Sequence, residues 1–177
     1  VIIHELSHHI FCIIFNAKVI EICYYNFKDS TGYVLHERPK HLYQNILIST
    51  GSFFFNSVLG AIISYRVIIK KLSLSGLVSL NWQDLLILII SISIGMKAIP
   101  SKSDGLCIWN FIGESDMNLL SKITWKLIIF PFILLINLVN ISSPYLKIDL
   151  FYGVCICFFG PKLIANIISG FIEGIQN

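Results

Sequence analysis

The chain has 177 residues, 55% of them hydrophobic and only 13% charged, against roughly 25% charged in soluble globular domains. Its net charge of +3 is small and dispersed, which excludes a nucleic-acid footprint. With a mean hydropathy of +0.78, this composition excludes an ordinary soluble domain and predicts a polytopic, all-α membrane protein. The length suits one membrane-embedded domain over residues 1–177.

The first segment, Val1 to Asn16, carries His4-Glu5-Leu6-Ser7-His8, an H-E-x-x-H pattern in apolar surroundings. On a helix, positions i and i+4 share a face, so His4 and His8 aim two imidazoles at one point, the spacing a tetrahedral zinc accepts. Glu5 stands beside them as a general base for a water at that ion. Ionisable groups in an oily helix are costly and need a partner, and a metal ion supplies one for all three. His9 lies about 140° around the helix from His4. That position makes it an interfacial group or a hydrogen-bonding neighbour, not a ligand. A spanning helix needs about 20 residues, and the chain opens on Val1, so the first helix is expected to be truncated at its N-terminus.

Lys18 to Tyr25 is β-branched and aromatic, Asn26 to Gly32 is a turn cluster, and Tyr33 to His36 can return as a strand. The pattern predicts a short β-hairpin after the first helix, followed by a polar interfacial stretch, Glu37 to His41. Leu42 to Tyr65 is an uncharged span. It contains Gly51-Ser52-Phe53-Phe54-Phe55-Asn56, and Asn56 is read either as a hydrogen-bonding tie between helices or as a substrate- or oxyanion-contacting group. Lys70 and Lys71 close this span. In the third segment Leu85 to Met96 is strongly apolar, but Asp84 interrupts any longer run, such as a full span from about Gly76 that would bury it. A short span starting at Asp84, with residues 72–83 at the interface, costs less than burying the carboxylate.

Pro100-Ser101-Lys102-Ser103-Asp104-Gly105 is read as a turn at the end of that span, followed by a polar loop to Lys126. The fourth segment is Leu127 to Leu146, with a kink candidate at Pro131. The fifth is Leu150 to about Ile172, expected to break at Gly160-Pro161-Lys162. About five hydrophobic segments result.

Loop cations suggest an orientation. If spans two to five all cross, Lys28, Arg38, Lys40, Lys97, Lys102, Lys122 and Lys126 share one side, against Arg66, Lys70, Lys71 and Lys147 on the other. The richer side is expected to be cytoplasmic. A multi-pass protein of the cell membrane follows, with its active site nearer the cytoplasm. The five cysteines (Cys12, Cys23, Cys107, Cys155 and Cys157) include no C-x-x-C, so neither a disulfide framework nor a cysteine zinc site is expected.

A catalytic zinc takes three protein ligands and an open position. Beside His4 and His8, the candidates for the third are Asp29, His36, His41, Asp84, Asp104, Glu114 and Asp116. Asp104 is preferred because the turn at Pro100 and Gly105 can aim its carboxylate inward.

A membrane-embedded HExxH helix, a following hairpin, an apolar Gly-x4-Asn helix and a later Pro-x3-Asp-Gly resemble the site-2 protease family of intramembrane zinc metalloproteases. The resemblance runs from His4 to about Gly105. It implies that His4, His8 and Asp104 bind Zn2+, that Glu5 is the general base, and that the substrate is a transmembrane or membrane-bound peptide segment cleaved within the lipid bilayer. Ser52 stands where the family has proline, Ser103 precedes Asp104 where leucine is usual, and no PDZ-like insertion is present. Other classes remain: a non-catalytic zinc-binding membrane protein, or a small transporter using Asp84 and Lys162 as intramembrane charges. The latter predicts paired broken helices, and only one candidate is seen. The sequence leaves the oligomeric state open.

Overall fold

The computed structural model describes residues 1–69 and 80–176. The elements run α1 (Ile2–Ile14), β1 (Val19–Asn26), β2 (Thr31–His36), α2 (Leu42–Ser49), α3 (Gly51–Val67), α4 (Trp82–Met96), α5 (Lys102–Glu114), α6 (Leu119–Leu146) and α7 (Ile148–Gln176). The protein is mostly helical, with the expected hairpin after the first helix. Two compact units form, Val1–Phe54 with Ile99–Ile148, and Phe55–Ala98 with Asp149–Asn177.

In the first unit, α1 stops where Asn16 adopts a left-handed conformation (φ 53°), which asparagine tolerates better than most residues. The Ala17 N–H then donates back to the Cys12 carbonyl at 2.8 Å, and the chain leaves directly into β1. The strands pair antiparallel, with Val19 opposite His36, Ile22 opposite Val34 and Cys23 opposite Tyr33. Their turn is closed by Asn26, whose Oδ1 accepts from the Lys28 N–H at 3.0 Å, an Asx turn of the kind that replaces a backbone turn. Both strands pack on α1.

Leu42 to Tyr65 is not one straight helix. It bends by 43° between α2 and α3, at Thr50. The corner is closely covered: a Cβ on Gly51 would stand 2.7 Å from Cδ2 of Phe11, so glycine lets α1 lie against it. The stretch after Pro100 also departs from the expected polar loop. Ser101-x-x-Asp104 is a capping box: the Asp104 N–H donates to Ser101 Oγ at 3.3 Å and the Ser101 N–H donates to Asp104 Oδ2 at 2.7 Å. This nucleates α5. Its C-terminal carbonyls accept from Arg38 (Phe111 O, 2.8 Å) and Lys122 (Gly113 O, 3.1 Å), cations that suit a helix C-terminus.

Helix α6 starts at Leu119, earlier than expected, because Asn118 caps it by accepting from the Ser121 N–H at 2.8 Å. It continues through Pro131 and packs Ile129 and Ile133 against Ile108 and Ile112 of α5.

In the second unit, α3, α4 and α7 meet through small residues. A Cβ on Gly95 would lie 2.9 Å from the Gly153 Cα, and one on Gly160 would lie 2.6 Å from the Ala61 Cβ. Such contacts let helices pack at short range in an apolar medium. The shared backbone is tied by Ser91 Oγ donating to the Gly60 carbonyl at 2.8 Å and Ser64 Oγ donating to the Cys157 carbonyl at 2.9 Å. The break expected at Gly160-Pro161-Lys162 does not form, and α7 runs continuously through Pro161. At the start of α4, Asp84 sits in a capping box with Asn81, its Oδ2 accepting from the Asn81 N–H at 3.0 Å. The short third helix expected from Asp84 is therefore realised, but the carboxylate expected to escape burial is buried, held there by its capping bond to the Asn81 N–H. Lys70, Lys71 and most of the interfacial stretch 72–83 lie outside the described residues.

Among the described residues, α6 and α7 are long and apolar enough to cross a membrane, and the bent pair α2–α3 makes a third if it counts as one span. Helices α1 and α4 are apolar but shorter. The five hydrophobic segments are all helical, and two or three of them have spanning length.

Candidate metal centre

The candidate site lies in the first unit, between α1 and the first turn of α5. His8 is anchored from outside the group. Its Nδ1 lies 2.7 Å from the Ile48 carbonyl. A carbonyl only accepts, so Nδ1 carries the proton and Nε2 is left with a free lone pair. The Ile48 carbonyl is available because α2 ends there, and the last carbonyls of a helix have no partner inside it. The bend at Thr50 and Gly51 thus fixes the tautomer of a side chain forty positions earlier in the chain.

The freed His8 Nε2 stands 3.3 Å from His4 Nε2. Asp104 completes the group, with Oδ1 3.5 Å from His8 Nε2 and Oδ2 3.7 Å from His4 Nε2. Taking one donor atom from each residue, all three lie within 4.8 Å of one another. Among the described residues this is the group of His, Cys, Asp and Glu side chains able to hold a metal ion.

The spacing can be tested against ion geometry. Metal–ligand bonds near 2.1 Å put ligand atoms about 3.4 Å apart at tetrahedral angles and about 3.0 Å apart at octahedral ones. The His4–His8 and His8–Asp104 Oδ1 separations of 3.3 and 3.5 Å lie near the tetrahedral value, and the set of one atom per residue closes to within 4.8 Å. Two neutral imidazoles and a carboxylate are donors that zinc accepts.

Asp104 is placed by its capping role. At the third position of α5 it takes the Ser101 N–H and the Ser101 Oγ–H on Oδ2, each at 2.7 Å. The Pro100 carbonyl just before accepts from Asn140 Nδ2 of α6 at 3.0 Å. Asp104 lies outside the helices of spanning length. Burial pushes its carboxyl up, but the two histidines facing it and the Ser101 hydroxyl outweigh burial and hold it below the usual value. The ligand is therefore anionic at neutral pH.

Glu5 is buried on α1 beside the two histidines. Its side chain lies over β2, with Cγ 2.6 Å from where a Cβ on Gly32 would be. His9, one turn further along α1, is no ligand; its Nδ1 shares a hydrogen bond with the Tyr24 hydroxyl of β1 at 2.6 Å.

The other candidate third ligands are engaged elsewhere. Asp29 accepts from Asn26 in the hairpin turn, His36 meets the Glu37 carbonyl, His41 stacks on Tyr43, and Glu114 pairs with Arg38. Asp116 is exposed between α5 and α6, and Asp84 caps α4. Asn56 belongs to the second unit, where it is fully buried and its Nδ2 donates to the Lys97 carbonyl at 2.8 Å. That bond makes Asn56 a tie between helix α3 and the end of α4.

Sequence reasoning missed Ser101, Asn140, the Ile48 carbonyl, Gly32 and Tyr24. The Ser-x-x-Asp spacing was a visible signal for Ser101. The rest depend on tertiary contacts with no local signature. Compared with known proteins, the chain matches no family model, no curated protein and no solved structure.

Proposed function

We propose that the chain is an intramembrane zinc metalloprotease of the site-2 protease type, hydrolysing peptide bonds in transmembrane or membrane-bound segments. The observation that carries this reading is the convergence of His4 Nε2, His8 Nε2 and the Asp104 carboxylate within 4.8 Å of one another, with a glutamate next to the first histidine. A His2Asp set leaves a fourth position open, the mark of a catalytic rather than a structural zinc. Zinc, when bound, would polarise a scissile carbonyl and acidify a water.

The protein's own groups do the rest. His8 is held by the Ile48 carbonyl, Asp104 by Ser101, and the Glu5 carboxylate takes a proton from the attacking water and returns it to the leaving amine nitrogen. The hairpin suits the substrate's needs. An unwound segment in lipid has unsatisfied amides, and an open strand edge of β1 or β2 can take them by strand addition. The five apolar helical segments support a multi-pass placement, with the site nearer the cytoplasmic face by the cation balance of the loops.

The test is a pair of variants of the full chain in detergent micelles, with metal content and cleavage of a transmembrane peptide measured together. Glu5→Gln keeps one zinc per chain and loses cleavage; His8→Ala loses both. Full cleavage by Glu5→Gln removes the assigned role of Glu5. A wild-type protein that holds zinc and cleaves no peptide favours the non-catalytic zinc-binding alternative.

A further inference from the structure

Two contacts join the hairpin to the face of α1 that carries Glu5, and neither involves a metal ligand. The first is steric. Gly32 is the one position of β2 without a side chain, and a Cβ there would stand 2.6 Å from Glu5 Cγ and 2.7 Å from the Tyr24 carbonyl oxygen. The Glu5 stem therefore rests on bare strand backbone. The second is polar. Tyr24, on the partner strand in the region facing Gly32, shares its hydroxyl with His9 Nδ1 at 2.6 Å. Glu5 and His9 are four residues apart, so they stand one above the other on the same face of α1. The steric and polar contacts thus fall one helical turn apart, and a strand slip of one residue would turn every side chain of the hairpin to its other face.

We infer that the hairpin is the positioning element for Glu5: Gly32 forms the floor under its side chain, and the His9–Tyr24 hydrogen bond locks the strands in register on α1 so that this floor stays in place. Gly32, Tyr24 and His9 are positioning residues that act through Glu5. The inference rests on the proposed role of Glu5 and adds to it. A buried carboxylate with rotamer freedom would spend most of its time away from a productive geometry, and misplacement by about 1 Å can cost 100-fold in rate. A glycine floor and a pinned strand remove that freedom without touching the ion's ligands.

The experiment uses the full chain in micelles and the variants Gly32→Ala, Tyr24→Phe, His9→Ala and His9→Gln, with Glu5→Gln as reference. Zinc content, kcat, KM and the affinity of acetohydroxamic acid for the zinc-loaded protein are measured. That probe chelates zinc and gives a hydrogen bond to a neighbouring carboxylate, so it reports where Glu5 is without turnover. Gly32→Ala, Tyr24→Phe and His9→Ala are expected to keep one zinc per chain, to lower kcat by about 10–100-fold with KM nearly unchanged, and to weaken the hydroxamate toward the Glu5→Gln level. His9→Gln, whose amide can still bond the Tyr24 hydroxyl, should restore most of both.

The inference is overturned if the three variants bind the hydroxamate and turn over like wild type, or if zinc is lost in step with activity. Should Gly32→Ala not fold, Tyr24→Phe, which deletes one oxygen, decides alone. If wild type cleaves nothing but the hydroxamate pattern holds, the positioning stands and the protease reading falls. If wild type cleaves and Tyr24→Phe is as active, with unchanged hydroxamate affinity, the protease reading stands and the positioning falls.

Discussion

At the scale of single residues, the site depends on which atom of each group is already committed. His8 spends Nδ1 on the Ile48 carbonyl, and Asp104 spends Oδ2 on Ser101, so the remaining lone pairs face one point. Such outer partners commonly contribute 10–100-fold to metal affinity. Ser101→Ala removes one of the two donors to Asp104 Oδ2 and should weaken zinc binding by about tenfold in a competition titration, with Ser101→Thr close to wild type. Asp104 also predicts an acid dependence in the metal-free protein. Its carboxyl lies below the usual value, so its contribution to stability is complete above the ordinary carboxylate value, about 3.9, and drains away as pH falls through the lower folded value. Asp104→Asn should therefore be less stable than wild type at pH 5. The gap in unfolding midpoint should close at the acid end, and a gap unchanged down to pH 2 would contradict the assignment.

At the scale of elements, glycine and asparagine decide how the ligand-bearing pieces meet. A side chain at Gly51 would collide with Phe11, pushing α1 off the corner that supplies the Ile48 carbonyl. Gly51→Val should cost about 1–3 kcal/mol from overpacking and lower zinc affinity, and adding Phe11→Ala should recover part of both. Asn140 ties α6 to the Pro100 carbonyl. Asn140→Leu should loosen the start of α5, read as faster amide exchange over residues 101–105.

The sequence made α1, the hairpin and the apolar runs legible because each carries a period or a turn signal longer than its own ambiguity. It misplaced the elements whose ends are set by capping. Residues 101–105 look like a turn and those up to Lys126 like a polar loop, yet with Ser101, Asn118 and Arg38 at the helix ends they form the whole of α5 and the start of α6. The expected break at Pro161 did not occur: the helix carries on through the proline.

At the scale of the whole molecule, His4 and His8 were readable as a pair because four residues separate them on one helix. Asp104 came into view through a turn signal and a family resemblance, whereas its capping geometry, which aims the carboxylate, needed the folded chain. Metal binding joins α1 to α5 across most of the sequence, so it should act on global stability. Free zinc at 100 times its dissociation constant adds about 2.7 kcal/mol to a protein that binds it only when folded. Chelator treatment should then lower the melting temperature of wild type and leave that of His8→Ala unchanged.

The central claim is that one ion sits between these three side chains. Zinc-edge X-ray absorption on the purified full chain, with metal counted per chain, tests it directly. The account predicts one zinc with two imidazole ligands and oxygen ligands at about 2.0–2.2 Å, and loss of that zinc in Asp104→Ala. A protein without zinc, or an Asp104→Ala variant with unchanged stoichiometry and spectrum, would contradict it.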